Sequence, residues 1–150
     1  MAKAVDKINI QNRRASFDYA FLEKFTAGIV LRGTEIKAVR EGKVNLGDGF
    51  CFFRRSELFV RNIHINEYEK GSYNNHEPLR ERKLLLNKKE LQKLERSLMD
   101  KGLTIVPIRM FISESGYAKL EIALAKGKKS FDKRQDIKKK DIERETARRF

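Results

Sequence analysis

Side chains able to attack a substrate or hold a metal are scarce in this chain. His64 and His76 are the only histidines, and Cys51 is the only thiol. None stands at a zinc-binding spacing. Cys51 lies in the apolar run Phe50-Cys51-Phe52-Phe53, where a small buried hydrophobe is expected rather than a reactive thiolate. Gly42-Lys43 and Gly127-Lys128 lack the flanking residues of a phosphate-cradling loop. Glu35, Glu41 and Asp48 read as helix-end and surface charges, not as an acid–base pair. The sequence therefore predicts no catalytic residues, no metal and no cofactor.

Cationic and amide side chains, by contrast, are plentiful and grouped. Asn12, Arg13 and Arg14 stand just before the first expected strand. Lys37, Arg40, Lys43 and Asn45 lie on and after a short helix. Arg80, Arg82 and Lys83 lead out of a long polar loop. Arginine offers a planar fork that grips phosphate at two points, and asparagine can bond phosphate, ribose or a base edge. The net charge is +13, and residues 126–150 alone carry eleven Lys/Arg against five Asp/Glu. A basic body with a more basic end is the electrostatic footprint of a polyanion binder. Tyr68 and Tyr73 could stack on bases, whereas Phe17, Tyr19, Phe52 and Phe53 read as core. With so few exposed aromatics, folded RNA recognised by shape and backbone is expected over a single strand.

The elements that must carry these groups follow from periodicity. Alternation places Phe17, Tyr19 and Phe21 on a first strand and Ala27, Ile29 and Leu31 on a second. Thr34 as N-cap, Glu35 in the first turn and Gly42 as a left-handed stop predict a short helix over 35–41. Phe50–Arg54 and Leu58–Ile63 predict a hairpin around 55–57, and residues 66–82 a long loop. Asn87 with Glu90 makes a capping box for a helix over 88–101, whose apolar face is Leu91, Leu94 and Leu98. Leu103–Ile112 and Tyr117–Ala125 are expected as the last two strands, with Leu120, Ile122 and Leu124 inward and Lys119 and Glu121 outward. About six strands with two or three helices predict a mainly β fold, a closed or nearly closed antiparallel barrel.

With 150 residues, one domain is expected. Residues 1–129 form the barrel domain in this reading, and residues 130–150 form a tail. The tail's apolar positions give no continuous helical stripe. Its acid-before-base pairs, Asp136 with Lys140 and Glu145 with Arg149, are worth about 0.2–0.5 kcal/mol each. That is too little to nucleate a short helix, so the tail is expected to be disordered when free and helical on a polyanionic surface. Met1–Gln11 lacks the apolar run of a signal peptide, and no stretch is apolar enough to span a bilayer. A cytoplasmic protein without a membrane partner, acting as a monomer, is expected.

Several motifs along the chain are similar to one family. They are Asn-Arg-Arg-Ala at 12–15, Gly-Thr-Glu-Ile-Lys at 33–37 and Arg-Glu-Gly-Lys-Val-Asn-Leu at 40–46. Asn-Ile-His-Ile at 62–65, Asn-His-Glu-Pro-Leu-Arg at 75–80 and Arg-Lys-Leu-Leu-Leu at 82–86 follow. The last is Ala-Lys-Gly-Lys-Lys-Ser-Phe-Asp-Lys-Arg at 125–134. Collinear from about residue 8 to 149, they resemble small protein B, the bacterial partner of transfer-messenger RNA.

The resemblance implies an oligonucleotide-binding-type barrel that holds the tRNA-like part of that RNA and brings it to ribosomes stalled on broken messages. It implies RNA contacts at Asn12, Arg13, Lys37, Arg40, Asn45, Leu85 and Lys119, with Arg14, Lys43, Arg80, Arg82 and Lys83 around them. It also implies a ribosome-facing motif at Lys126, Lys128, Lys129, Asp132, Lys133 and Arg134, and a tail that becomes helical in the empty message channel. Many relatives carry an acid where Thr26 stands, a serine where Ala38 stands, and Asp-Ser-Tyr where this chain has Asp48-Gly49-Phe50. Residue chemistry alone leaves open a general RNA-binding module of ribosomal or initiation type.

Overall fold

A computed structural model describes residues 8–71 and 74–128. Nine strands and three helices follow in the order β1 (Asn9–Gln11), α1 (Arg13–Asp18), β2 (Tyr19–Ile29), α2 (Gly33–Arg40) and β3 (Val44–Asn45), then β4 (Phe50–Arg54), β5 (Glu57–Arg61), β6 (His64–Ile65), β7 (Arg82–Leu85), α3 (Lys88–Ser97), β8 (Leu103–Ile112) and β9 (Ala118–Gly127). Six strands form a closed antiparallel ring, β8-β4-β5-β7-β2-β9 and back to β8. One edge of β8 is shared, by β4 at Ile105 and by β1 across Arg109–Phe111. Strands β3 and β6 pair separately.

The first two expected strands are one long strand, and the cause is a bulge. Tyr19 and Phe21 share parity with Phe25, Ala27 and Ile29, yet the two sets pack into different cores. The register of β2 against β9 slips between Phe21 and Glu23. An extra residue there flips the phase of the alternation. Strand β8 does the same between Pro107 and Arg109. Pro107 has no N–H to donate, and a bulge is where a strand tolerates it.

The larger core fills the ring with Phe25, Ala27, Leu58, Val60, Ile105, Met110, Leu120 and Ile122, joined by Ala38 and Val39 of α2 and Leu94 of α3. The smaller one lies outside the ring, where α1 places Ala15 over Val106, Ile108, Ala123 and Ala125. Helix α1 was not expected. It starts because the Asn12 Oδ1 accepts from the Ala15 N–H at 3.1 Å. Phe17 sits on this helix rather than on a strand.

Other expectations hold. Gly42 has φ +75, ending α2 in the left-handed region. Asn87 and Glu90 cap α3 reciprocally. Thr34, however, lies inside α2 rather than at its N-cap, which is Arg32. Phe53 packs on the ring core. Phe52 does not: it faces outward, stacked 5.9 Å from Phe59, with the Arg54 and Arg61 guanidinium groups over the rings.

The β4–β5 turn is made of Arg55 (φ 53) and Ser56 (φ 64), closed by the Arg54–Glu57 pair. Both residues occupy a conformation that suits Asn-Gly far better. Replacing Arg55-Ser56 with Asn-Gly is expected to stabilise the fold by about 1–2 kcal/mol. The urea midpoint reads this directly; a midpoint that stays or falls contradicts it.

Candidate nucleic-acid interface

The 45–49 turn brings two of the expected cationic groups together. The Asn12 amide donates to the Leu46 carbonyl at 3.0 Å and to the Pro107 carbonyl at 2.9 Å, which ties α1 to the turn that follows β3. The Arg14 guanidinium reaches Asp48 at 3.2 Å. Asn45 stays exposed and folds its Oδ1 onto the Gly47 N–H at 2.8 Å. Arg13 is exposed beside them on α1.

Helix α2 and the strand after it carry the second group, of which Asn45 stands at the start of that turn. The inner face of α2 buries Glu35, Ala38 and Val39, so Lys37 and Arg40 project outward. Lys37 Nζ lies 5.4 Å from the centre of the Tyr68 ring. Lys43 is paired with Glu41 and Glu69, and the hydrogen bond and charge of Glu69, with the charge of Glu41, hold its pKa above the usual lysine value. Tyr68 is thus occupied by a cation, and Tyr73 lies outside the described residues.

Two of the expected phosphate ligands are structural instead. Arg82 has no exposed side-chain surface, so it cannot meet RNA at the surface. Its Nε donates to Glu35 at 2.6 Å, and its Nη atoms donate to the Ile63 and Pro78 carbonyls, both at 3.1 Å. Asn12 is 6% exposed, and both ends of its amide are engaged within the protein.

Glu35 does serve the helix end as expected, accepting from the Arg32 N–H at 2.8 Å, but it is fully buried rather than at the surface. Burial would raise its pKa. The Arg80 hydrogen bond, the Arg32 backbone N–H and the Arg82 charge outweigh that and hold the carboxyl below the ordinary carboxylate value. For Arg82, burial wins and lowers the guanidinium pKa, against the pull of Glu35.

Arg80 is partly exposed but spends its fork on Glu35, at 2.6 Å. His76, nearly as buried, joins Thr34 Oγ1 at 2.8 Å to the Ile65 carbonyl at 2.9 Å. The long loop is therefore pinned to α2 at His76, Arg80 and Arg82.

Lys83 stands on the outer face of β7, paired with Glu57 of β5. Leu85, 53% exposed, and Lys119 flank Gly28 in the sheet, since Gly28 pairs with Leu85 on one side and Lys119 on the other. The row continues to Phe111, opposite Lys119, and to Asn9. The family resemblance pointed to Leu85 and Lys119, and sequence reading did not single out Arg109 and Phe111 near them. The available signal was parity: Arg109 and Phe111 are out of phase with the inward Met110 and Ile112.

Near the end of the described chain, Lys126 is exposed. The Lys128 N–H donates to the Asp18 carbonyl at 2.9 Å and its Nζ to the Ser16 carbonyl at 3.0 Å. Lys129, Asp132, Lys133, Arg134 and the expected tail at 130–150 lie outside the described residues.

Little else offers chemistry. Among the described residues no His/Cys/Asp/Glu group could hold a metal ion, and no helix is long and apolar enough to cross a membrane. Burial pushes the Cys51 thiol far up, away from thiolate reactivity.

Comparison with known proteins agrees with this picture. The family model described as SmpB protein matches residues 9–150. An SsrA-binding protein of Bacteroides thetaiotaomicron is 59% identical over 143 residues, covering 95% of both chains. One from Phocaeicola vulgatus is 62% identical over the same length and share. Among solved structures, one described as "tmRNA-SmpB: a journey to the center of the bacterial ribosome" superposes with a TM-score of 0.70 at 49% identity, covering 82% of this chain and 86% of that one. A match that runs from β1 through every later element, together with relatives about three-fifths identical over nearly the whole length, places the chain in the SmpB family.

Proposed function

We propose that this protein binds the tRNA-like part of transfer-messenger RNA and delivers it to stalled ribosomes in the cytoplasm, acting as a monomer and without catalysis. The family match over residues 9–150 carries this reading. The local chemistry supports it. Arg13 and Arg14 stand on α1, Lys37 and Arg40 on α2, Lys43 on the link from α2 to β3, and Asn45 at the end of β3. They present cations and amides on a rigid frame, which suits backbone contacts to a folded RNA.

Competition tests it. Labelled tRNA-like RNA bound to the protein should resist displacement by an equal mass of random duplex RNA. Equal competition would favour a general RNA-binding module instead. Replacing Arg13 and Arg40 with alanine should weaken binding and flatten its dependence on salt by roughly one log–log unit per lost phosphate contact. An unchanged slope would remove these two arginines from the contact.

A further inference from the structure

The long loop lies over two lysines of the proposed interface, and its backbone there is tightly built. The Asn66 N–H donates to the Lys43 carbonyl at 3.1 Å, so the chain enters the loop tied to Lys43 itself. One side chain then clamps both backbone groups of Tyr68. The Asn75 amide donates to the Tyr68 carbonyl at 2.7 Å and accepts from the Tyr68 N–H at 3.2 Å. The Gly71 N–H closes a turn on the same carbonyl at 2.8 Å. A Cβ at Gly71 would come 2.5 Å from the Asn75 Nδ2 and 3.0 Å from the Tyr68 carbonyl, so a larger residue would displace the clamp. Asn75 is followed by the buried His76, which is bonded to Thr34 of α2.

The clamp sets two side chains on the two lysines. The Tyr68 ring centre stands 5.4 Å from Lys37 Nζ, and the Glu69 carboxylate lies 3.3 Å from Lys43 Nζ. A base and a phosphate of RNA would offer the same ammonium groups the same two contacts, a ring face and an anionic oxygen. Arg40, between the lysines in sequence, is exposed. The ion pair does little for stability, since the Glu69 side chain is 82% exposed and surface pairs contribute little to folding. It is therefore easily exchanged for a ligand.

We propose that Tyr68 and Glu69 determine specificity by standing in for RNA on Lys37 and Lys43. An RNA that fits the whole interface is held by Arg13 and Arg40 and displaces both side chains. It gives up only a weak pair in doing so. A polyanion of the wrong shape lacks that hold and meets the Glu69 carboxylate as a like charge beside Lys43. Specificity is a difference between affinities, and a repulsive element set against wrong partners widens it. The proposal rests on the RNA-binding reading above and deepens it.

Binding titrations over a range of salt test this, using the full chain, a transcribed tRNA-like RNA and a random duplex RNA. Glu69→Gln opens Lys43 to phosphate. The random duplex should then bind about threefold to fivefold tighter, with a salt slope steeper by roughly one unit. The tRNA-like RNA already takes Lys43 from the wild type, so its slope should stay the same and the discrimination should narrow. Glu67→Gln is the control, since it removes an equal charge from the same loop without touching the Lys43 pair. Tyr68→Trp reports the displacement in a chain with no tryptophan of its own. Its emission should change with the tRNA-like RNA and hold steady with the random duplex. If Glu67→Gln and Glu69→Gln strengthen the random duplex alike, bulk charge is at work and the stand-in is wrong. An unchanged slope for Glu69→Gln overturns it too, and in both cases the RNA-binding reading stands. If the wild type itself fails to discriminate the tRNA-like RNA, the underlying reading fails first.

Discussion

Glu35→Gln should destabilise the fold by about 3–5 kcal/mol, the largest loss expected from any single polar substitution here. Breaking a buried pair strands the surviving charge without compensation. Arg82 would keep the Ile63 and Pro78 carbonyls as acceptors but lose its carboxylate, and Arg80 would lose its partner as well. Arg82→Met should also destabilise, and the double variant should lose less than the two singles combined, because they share one interaction.

Acid should probe the same pair. The folded-state pKa of Glu35 is depressed, so its stabilisation is complete above the unfolded carboxyl value. It is lost as pH falls through the lower, folded value. Urea midpoints measured from about pH 6 to pH 3 should drop steeply for wild type and less for Glu35→Gln. Equal acid slopes for the two proteins would show that Glu35 titrates normally. The consequence extends to RNA, since α2 is held to the long loop by Glu35, and Lys37 and Arg40 ride on α2.

Ending the chain after Phe131 should abolish tagging of stalled chains in a reconstituted translation system, while leaving the ring and most of the RNA affinity in place. The last described anchors are the two hydrogen bonds of Lys128 to α1, and both survive the cut. The unfolding free energy from urea titration should therefore change by no more than about 0.5 kcal/mol, the range of surface changes away from packed groups. RNA affinity should keep its specific part and lose some salt-sensitive attraction, because Lys133, Arg134 and the later cations go with the tail. In the proposed role the tail occupies the path of an intact message, so its removal takes away the step at the ribosome and spares the step before it. Tagging at the wild-type rate by the shortened protein would rule out that division of labour.

Much of this was readable before any coordinates. Strand β8 begins and ends where its apolar run does, and the β4–β5 hairpin turns at the expected residues. Those elements are marked by local chemistry: alternation, a capping box, a left-handed glycine. What sequence reading missed depends on distant partners. Asn12 caps α1 locally through Ala15, but it is withdrawn from the surface because its amide nitrogen meets Leu46 and Pro107, the latter 95 positions away. The bulge in β8 is marked by Pro107, but the one in β2 leaves no signature beyond an alternation that runs on unbroken, so one strand reads as two.

Arg82 belonged to the interface by composition and to the interior by parity, since Leu84 of the same phase is buried. Charge type and strand phase point opposite ways there, and the phase prevails because Glu35 supplies the buried partner. Arg109 is missed for another reason. A lone arginine in an apolar strand says nothing until Phe111, Glu121 and Asn9 are seen around it.

The order in which the ring's members leave the ribosome carries a further consequence. β9 is last, and it must join both β8 beside it and β2, roughly a hundred residues earlier. At about 5–20 residues per second of synthesis, the newborn β2 waits on the order of 5–20 s for its mate. A copy cut short before residue 118 never receives it. Such a fragment has two raw strand edges, which invite degradation or clumping. In the role proposed above, broken messages would thus thin out the supply of the same protein that acts on them.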